Sequence, residues 1–370
     1  MTATDSAPSA TCSGCQADVS PLDSFCENCG ATLTPLAVAA SDGALSSVSP
    51  ICAHCGAAVA DDGYCSSCGT KAATPRDHWT EQPAAWVAGV CDKGIVHTRN
   101  EDAMALAVFA DDGAAIVVCD GVTSAPDSDQ ASLSASRIAC ASIVAAMSRP
   151  SASTPGFPTD PPPVPVQRAA GDDVAFARTL LQLAAAQANG AAVAVARKLG
   201  DPVEAPSCTF VAAMVMPADA PAAFPTIVVA WCGDSRAYWL PDVGPDVQLT
   251  TDHSLGTEMI RSGRSRAEAE SDPTYHTITR WLGADSVDPT AEVVSLATAS
   301  SGWLLVCSDG LWNYASTPEA MRQAFVLACG DVAAADAEPS AVAAALTQFA
   351  NDQGGHDNIT AAVARLAAQP

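Results

Sequence analysis

Residues 114–121 read Ala-Ala-Ile-Val-Val-Cys-Asp-Gly, a short apolar run that ends on an aspartate and a glycine. Its length and its β-branched content predict a buried strand that delivers Asp120 at its end. The same construction recurs along the chain. TIVVAWC precedes Gly233-Asp234-Ser235-Arg236, and WLLVCS precedes Asp309-Gly310. Gly354-Gly355-His356-Asp357-Asn358 runs into ITAAVARL, and Arg99-Asn100-Glu101-Asp102 follows a glycine-containing turn. Taken singly, an Asp-Gly pair reads as an ordinary turn. Taken as a set, acids at several strand ends predict a rigid sheet that brings carboxylates into one cleft. Oxygen ligands of that kind suit hard cations such as Mg²⁺ or Mn²⁺.

Outward from these runs the chain alternates strand and helix patterns. Strand-like stretches are 114–119, 209–216, 226–231, 303–307 and 358–364; helical ones are 130–147, 175–198, 318–328 and 339–350. Residues 86–368 are therefore expected to form one large mixed domain. Residues 71–85 (KAATPRDHWTEQPAA) read as a linker, and 149–166, with seven prolines, as a surface insertion that cannot be a regular helix. The most apolar helical run, Leu180 to Ala196, is interrupted by Gln182, Gln187, Asn189 and Gly190 and is expected to be too short and too polar to span a bilayer. The N-terminal stretch has neither a basic nor an apolar signal region. With 17 Lys+Arg against 41 Asp+Glu, a net charge of −24, the chain is a poor match for nucleic acid or anionic membranes. A cytoplasmic location is expected.

Fifteen cysteines fall into two groups. Cys91, Cys119, Cys140, Cys208, Cys232, Cys307 and Cys329 sit singly in apolar stretches, as free buried thiols do. No C-x5-R string occurs, so a thiolate-based phosphatase site of that kind is absent. The others form an internal repeat: Cys12, Cys15, Cys26 and Cys29, then Cys52, Cys55, Cys65 and Cys68. Each C-x-x-C presents two thiolates to one ion, so each repeat predicts a four-thiolate Zn²⁺ site, two Zn²⁺ in all. Metal binding would stabilise units too small to fold on apolar burial. Gly30, Gly56 and Gly69 follow the second cysteine of a pair, where a left-handed backbone is easily adopted. The region resembles the double zinc ribbon found as an accessory module in bacterial signalling proteins. Residues 1–70 contain no Lys or Arg, so a protein partner or a structural cap fits better than nucleic acid.

The ordered acidic set closely resembles the PPM (protein phosphatase 2C) family, whose motifs stand here as HTRNED, CDGVTS, PSCTF, CGDSRAY, TTDHSLG, CSDGLW and GGHDNIT, between about residues 86 and 366. The resemblance implies an α+β fold, a four-layer αββα sandwich with two central antiparallel sheets and a metal cleft at one end. It implies that Asp120 bridges two Mg²⁺ or Mn²⁺ ions and that the Gly121 carbonyl binds one of them. Asp309 and Asp357 would hold the second ion, and Glu101 and Asp102 would hold metal-bound waters. Asn358 would orient the last ligand. Glu204, ahead of the PSCT strand, is the candidate acid of a third metal position shared with Asp309. Two departures stand out. His97 occupies the place of the family's phosphate-binding arginine, which leaves His97 and Arg99 as candidates for that role. The usual D-G-x-G-G has become Asp120-Gly121-Val122-Thr123-Ser124, without the acid some members carry there.

The implied activity is hydrolysis of phosphoserine and phosphothreonine in proteins by metal-activated water, opposing a bacterial Ser/Thr kinase. Residues 253–285 correspond to the family's flap, where Arg261, Arg264, Arg266 and Arg280 would attract phosphorylated peptide. The alternative is a weakly active, pseudophosphatase-like module that works through its zinc ribbons.

Overall fold

The computed structural model describes residues 10–11, 18–19, 51–52, 55–60, 63–69, 71–109, 112–147, 170–200, 204–218, 220 and 222–368. Cys12, Cys15, Cys26 and Cys29 of the first predicted zinc site, and the proline-rich stretch 149–166, lie outside them. The chain divides into two units, Met1–Ala72 and Ala73–Pro370. In the first, β1 (Ala10–Thr11) pairs antiparallel with β2 (Asp18–Val19), and Ile51 bridges to Ala58, Val59 to Cys65 and Tyr64 to Lys71.

The second unit opens with β3 (His78–Ala84) and β4 (Val87–Asp92), then β5 (Ala103–Phe109), β6 (Gly113–Cys119), α1 (Ser128–Met147) and α2 (Ala170–Lys198). Next come β7 (Ser207–Cys208), β8 (Phe210–Met216), β9 (Thr226–Cys232), β10 (Arg236–Pro241) and β11 (Val247–Gln248). A helical pair, α3 (Leu255–Arg261) and α4 (Arg266–Glu270), leads through β12 (Leu282–Gly283) to β13 (Glu292–Ala297) and β14 (Gly302–Cys307). The chain closes with α5 (Asp309–Trp312), α6 (Pro318–Cys329), α7 (Pro339–Asp352) and β15 (Ile359–Leu366).

Among the described residues of this unit, beside the two-stranded pair β12-β7, two large antiparallel sheets result, one of six strands in the order β11-β10-β14-β15-β4-β3 and one of five in the order β13-β9-β8-β6-β5. Each is covered on both faces, which explains why its central strands read as unbroken apolar runs rather than alternating ones: every residue of β6 and of β14 is buried. Met104, Ile116, Trp231, Trp239 and Leu304 meet between the sheets. Trp303, Phe325 and Leu346 pack α6 and α7 against the six-stranded sheet. The alanine-rich composition finds its place between α1, α2 and the five-stranded sheet, where Ala135, Ala139, Ala184 and Ala188 allow close approach. The seven scattered cysteines are free and buried, as expected.

Two sequence expectations need correction. The stretch read as a linker contains β3, an edge strand paired with β4 from His78↔Asp92 to Ala84↔Val87. The apolar helix is longer than its sequence suggested: Asp173–Lys198 is long and apolar enough to cross a membrane by length and composition. In the fold Ala177, Leu181, Ala184 and Ala188 are instead core residues against α1 and the sheet.

Candidate active site and metal centres

The acidic residues converge because strand ends and their following turns meet at one end of the sandwich. Asp102 enters β5, Asp120 leaves β6, Asp234 lies between β9 and β10, Asp309 follows β14, and Asp357 precedes β15. Asp102, Glu101 and Asp234 are buried, whereas Asp120, Asp309 and Asp357 are half-buried. Three half-buried carboxylates thus stand beside a buried acidic layer.

The buried layer is tightly tied. Asp102 Oδ2 accepts from Ser308 Oγ and Thr360 Oγ1, both at 2.7 Å. Asn358 joins two motifs that lie 257 positions apart: its Oδ1 accepts from Glu101 N at 2.7 Å. Its Nδ2 donates to the carbonyls of Lys93 (2.7 Å) and Arg99 (3.0 Å). Thr209, between β7 and β8, receives the Asp120 amide on its Oγ1 at 3.0 Å and meets Ser235 Oγ at 2.7 Å, which accounts for a hydroxyl at each position. The glycines of the Asp-Gly pairs answer to close approach rather than to turn conformation. A Cβ on Gly310 would lie 1.9 Å from the Asn358 carbonyl oxygen, and one on Gly121 would lie 2.8 Å from those of Glu101 and Ser128.

The electrostatics point to an absent counter-charge. Burial, then the charges of Asp102, Asp309, Asp357 and Asp234, hold the Asp120 carboxyl well above the usual range. Asp309 is raised in the same way, by burial and then by Asp357, Asp234 and Asp102. Burial lifts Asp102 to about 6, and burial with the neighbouring Asp252 lifts Asp234 to about 7. Asp102 Oδ1 and Asp309 Oδ1 are buried with no hydrogen-bond partner among the described residues. Mutually repelling carboxylates with unpartnered oxygens are a donor set that hard divalent cations fit.

Glu204 is exposed on the segment before β7, whereas Asp234 is among the acidic charges acting on both Asp120 and Asp309. Sequence reading placed Asp234 in a motif without giving it a role; its burial beside the other acids is a tertiary fact. His97 Nε2 lies 3.3 Å from Asp357 Oδ1. Arg99 Nε donates to Glu101 Oε1 at 3.1 Å, so its guanidinium is held at the rim of the acidic layer.

Sequence reading missed Arg76, in the segment ahead of β3. Its Nη2 donates to the carbonyls of Asn100 (3.3 Å), Asp102 (3.0 Å) and Asp129 (3.2 Å), and Asn100 Nδ2 returns a bond to the Arg76 carbonyl at 3.0 Å. Its guanidinium also lies over the Trp79 ring, 4.8 Å from the centroid. Arg76 therefore fixes the backbone that aims Glu101 and Asp102. Arg76→Ala is expected to cost about 2–3 kcal/mol in urea unfolding and to raise the Mn²⁺ concentration needed for half-maximal activity, with partial rescue by Arg76→Lys. Unchanged unfolding and Mn²⁺ dependence would contradict this role.

In the first unit Cys52, Cys55, Cys65 and Cys68 bring their four sulfurs within 4.8 Å of one another. The Cys52–Cys68 and Cys55–Cys65 pairs are 3.7 and 3.4 Å apart. Four thiolates around Zn²⁺ at about 2.3 Å sit about 3.8 Å apart, so the cluster fits that ion. Both C-x-x-C turns close alike, Gly56 N on Cys52 O at 2.8 Å and Gly69 N on Cys65 O at 2.9 Å, with φ of 75° and 70° at the glycines. The amides of Cys68 and Ser67 point at Cys65 Sγ and lower its pKa, favouring the thiolate.

Residues 95–351 match the protein phosphatase 2C family model, and the chain belongs to that family. The serine/threonine phosphatase stp of Listeria innocua is 37% identical over 138 residues, 36% of this chain and 49% of that protein. The chain thus spans about half the length of the curated relatives it matches. Among solved structures, the PPM Ser-Thr phosphatase MsPP of Mycobacterium smegmatis, in complex with cacodylate, superposes with a TM-score of 0.53 at 28% identity, over 76% of this chain and 97% of that one. The catalytic domain of the serine/threonine phosphatase PstP, in complex with two manganese ions, shares the fold at 21% identity and a TM-score of 0.50, over 76% of this chain and 97% of that one.

Proposed function

We propose that this chain is a cytoplasmic, metal-dependent protein phosphatase that hydrolyses phosphoserine and phosphothreonine and opposes a bacterial Ser/Thr kinase. The observation that carries the reading is the convergence of Asp102, Asp120, Asp234, Asp309 and Asp357, with unpartnered oxygens on Asp102 and Asp309. Asp120, Asp309, Asp357 and the Gly121 carbonyl would hold Mg²⁺ or Mn²⁺, with Glu101 and Asp102 behind them. When bound, two such ions lower the pKa of water and screen the phosphate dianion. The protein's own part is positional. Ser308 and Thr360 fix Asp102, Asn358 locks the Glu101 loop to the Asp357 loop, and His97 and Arg99 stand at the rim where a phosphate oxygen would arrive. Hydrolysis by water needs no covalent intermediate on the protein. In cells lacking this protein, phosphopeptides that wild type but not Asp309→Asn returns to the dephosphorylated state would identify substrates; an empty set would overturn the kinase-opposing role.

The N-terminal repeats are proposed to bind two Zn²⁺ and to dock a partner protein. The sulfur spacing of the second repeat supports the metal, and the absence of Lys and Arg from residues 1–70 supports a protein over nucleic acid. Cys52→Ser is expected to remove about one zinc per chain by elemental analysis and to leave p-nitrophenyl phosphate hydrolysis unchanged. Unaltered zinc content would contradict the site. A pull-down with the full chain that recovers the same proteins for wild type and Cys52→Ser would contradict docking through this ribbon.

A further inference from the structure

Beside the acidic cluster lies a cavity of about 360 Å³, between β10, the segment after β11, and the α3–α4 pair. Arg236, Asp252, Thr257, Arg261, Arg266 and Tyr275 line it. Arg236 and Asp252 are buried and cancel each other's charge: Nε and Nη2 of Arg236 reach the two carboxylate oxygens at 2.9 and 2.6 Å. Two cations remain. Among the described residues Arg266 pairs with Glu270 alone, an exposed i,i+4 pair at 3.3 Å, an interaction worth about 0.3–0.5 kcal/mol and easily exchanged. Arg261 is exposed, and among the described residues no carboxylate pairs with it. The other two flap arginines are engaged elsewhere, Arg264 with Asp272 and Arg280 with Asp288 and Glu292. A cavity carrying two available guanidinium groups is exceptional in a chain of net charge −24.

Arg236, which lines the cavity, is linked through Trp312 to the acidic cluster. Trp312, the last residue of the helix that begins at Asp309, stacks under the Arg236 guanidinium at 3.5 Å and donates Nε1 to the Asp234 carbonyl at 2.9 Å. An extended peptide with its phosphorylated residue at the acidic cluster would therefore pass a neighbouring side chain over Arg261 and Arg266. Guanidinium groups bind carboxylates and phosphates through the same charge-assisted fork.

We infer that this cavity is a subsite for an anionic side chain, acidic or phosphorylated, flanking the target residue of the substrate. The inference rests on the phosphatase reading and narrows its substrate class. Three phosphothreonine peptides test it, alike except for an alanine, a glutamate or a second phosphothreonine placed at successive flanking positions. Wild type is expected to favour at least one anionic peptide by about tenfold in kcat/KM, an effect of one charge-assisted contact. The glutamate and phosphothreonine arms show which anion is read. In Arg261→Ala/Arg266→Ala the preference should vanish through KM, with kcat and p-nitrophenyl phosphate hydrolysis unchanged; Arg261→Lys should keep part of it. Kd for the same peptides, built with a non-hydrolysable phosphonate at the target position, is measured in parallel. Equal kcat/KM and Kd for neutral and anionic peptides in wild type, or a preference that survives the double substitution, overturns the subsite. Anion preference in Kd without hydrolysis of any peptide overturns the phosphatase reading and leaves the subsite standing.

Discussion

Asp309→Asn is expected to lower Mn²⁺-dependent hydrolysis of p-nitrophenyl phosphate and of a phosphothreonine peptide by about 10³-fold or more, near 4 kcal/mol of barrier. Asp309 opens α5 directly after the buried strand β14, and its Oδ1 has no partner among the described residues. Burial and the charges of Asp357, Asp234 and Asp102 oppose its ionisation. A group placed at such electrostatic cost has its compensation in a bound cation, which an amide of the same shape meets far less well. The substitution also removes a repelled charge, so the metal-free variant should melt no lower than metal-free wild type. Loss of activity with undiminished stability separates a ligand role from a structural one. Activity retained within a few-fold at saturating Mn²⁺ would remove Asp309 from the centre.

Metal-free protein is expected to lose stability as pH rises from about 5 to 7.5, and Mn²⁺ to reverse that trend. The folded carboxyls of Asp102 and Asp234 titrate at about 6 and about 7, against about 3.9 for an unfolded Asp. Across that interval the native state binds more protons than the unfolded one, so stability is highest at the acid end and falls as these groups ionise. Bound cations supply the missing charge and bind better as protons leave. At a hundred times Kd they stabilise by about 2.7 kcal/mol, a shift of roughly 5 °C in a domain this large. Melting curves at pH 5.5 and 7.5, each in EDTA and in Mn²⁺, provide the check. A flat or rising metal-free trend, with no Mn²⁺ shift at pH 7.5, would contradict the acidic cluster.

Much of the second unit was legible in the sequence because its central strands are buried on both faces and therefore read as continuous apolar runs. The acids at their ends were legible for the same reason: each marks where a run stops. His78–Ala84 was not legible. HWTEQPA is polar, carries a proline and lies at a sheet edge with alternating exposure, so its strand state comes from pairing with β4. Arg76 escaped notice likewise, since its partners at Asn100, Asp102 and Asp129 are 24 to 53 positions away. The flap arginines look equivalent in sequence. Folding pairs Arg264, Arg266 and Arg280 with carboxylates, leaves Arg261 without one among the described residues, and sets Arg261 and Arg266 at a cavity. The Asp-Gly pairs read as turns, whereas Gly310 and Gly121 are needed where two backbones touch.

The central claim is that carboxylates gathered by two sheets hold the cations with which water cleaves a protein phosphoester. Its most direct measurement is the initial rate of phosphate release from a phosphothreonine peptide by the full chain as Mn²⁺ is titrated from an EDTA baseline. The rate should be at background in EDTA and should rise to a saturating turnover as Mn²⁺ is added. Mn²⁺ bound to saturation with release still at the EDTA baseline would contradict the claim and make the chain a binding module.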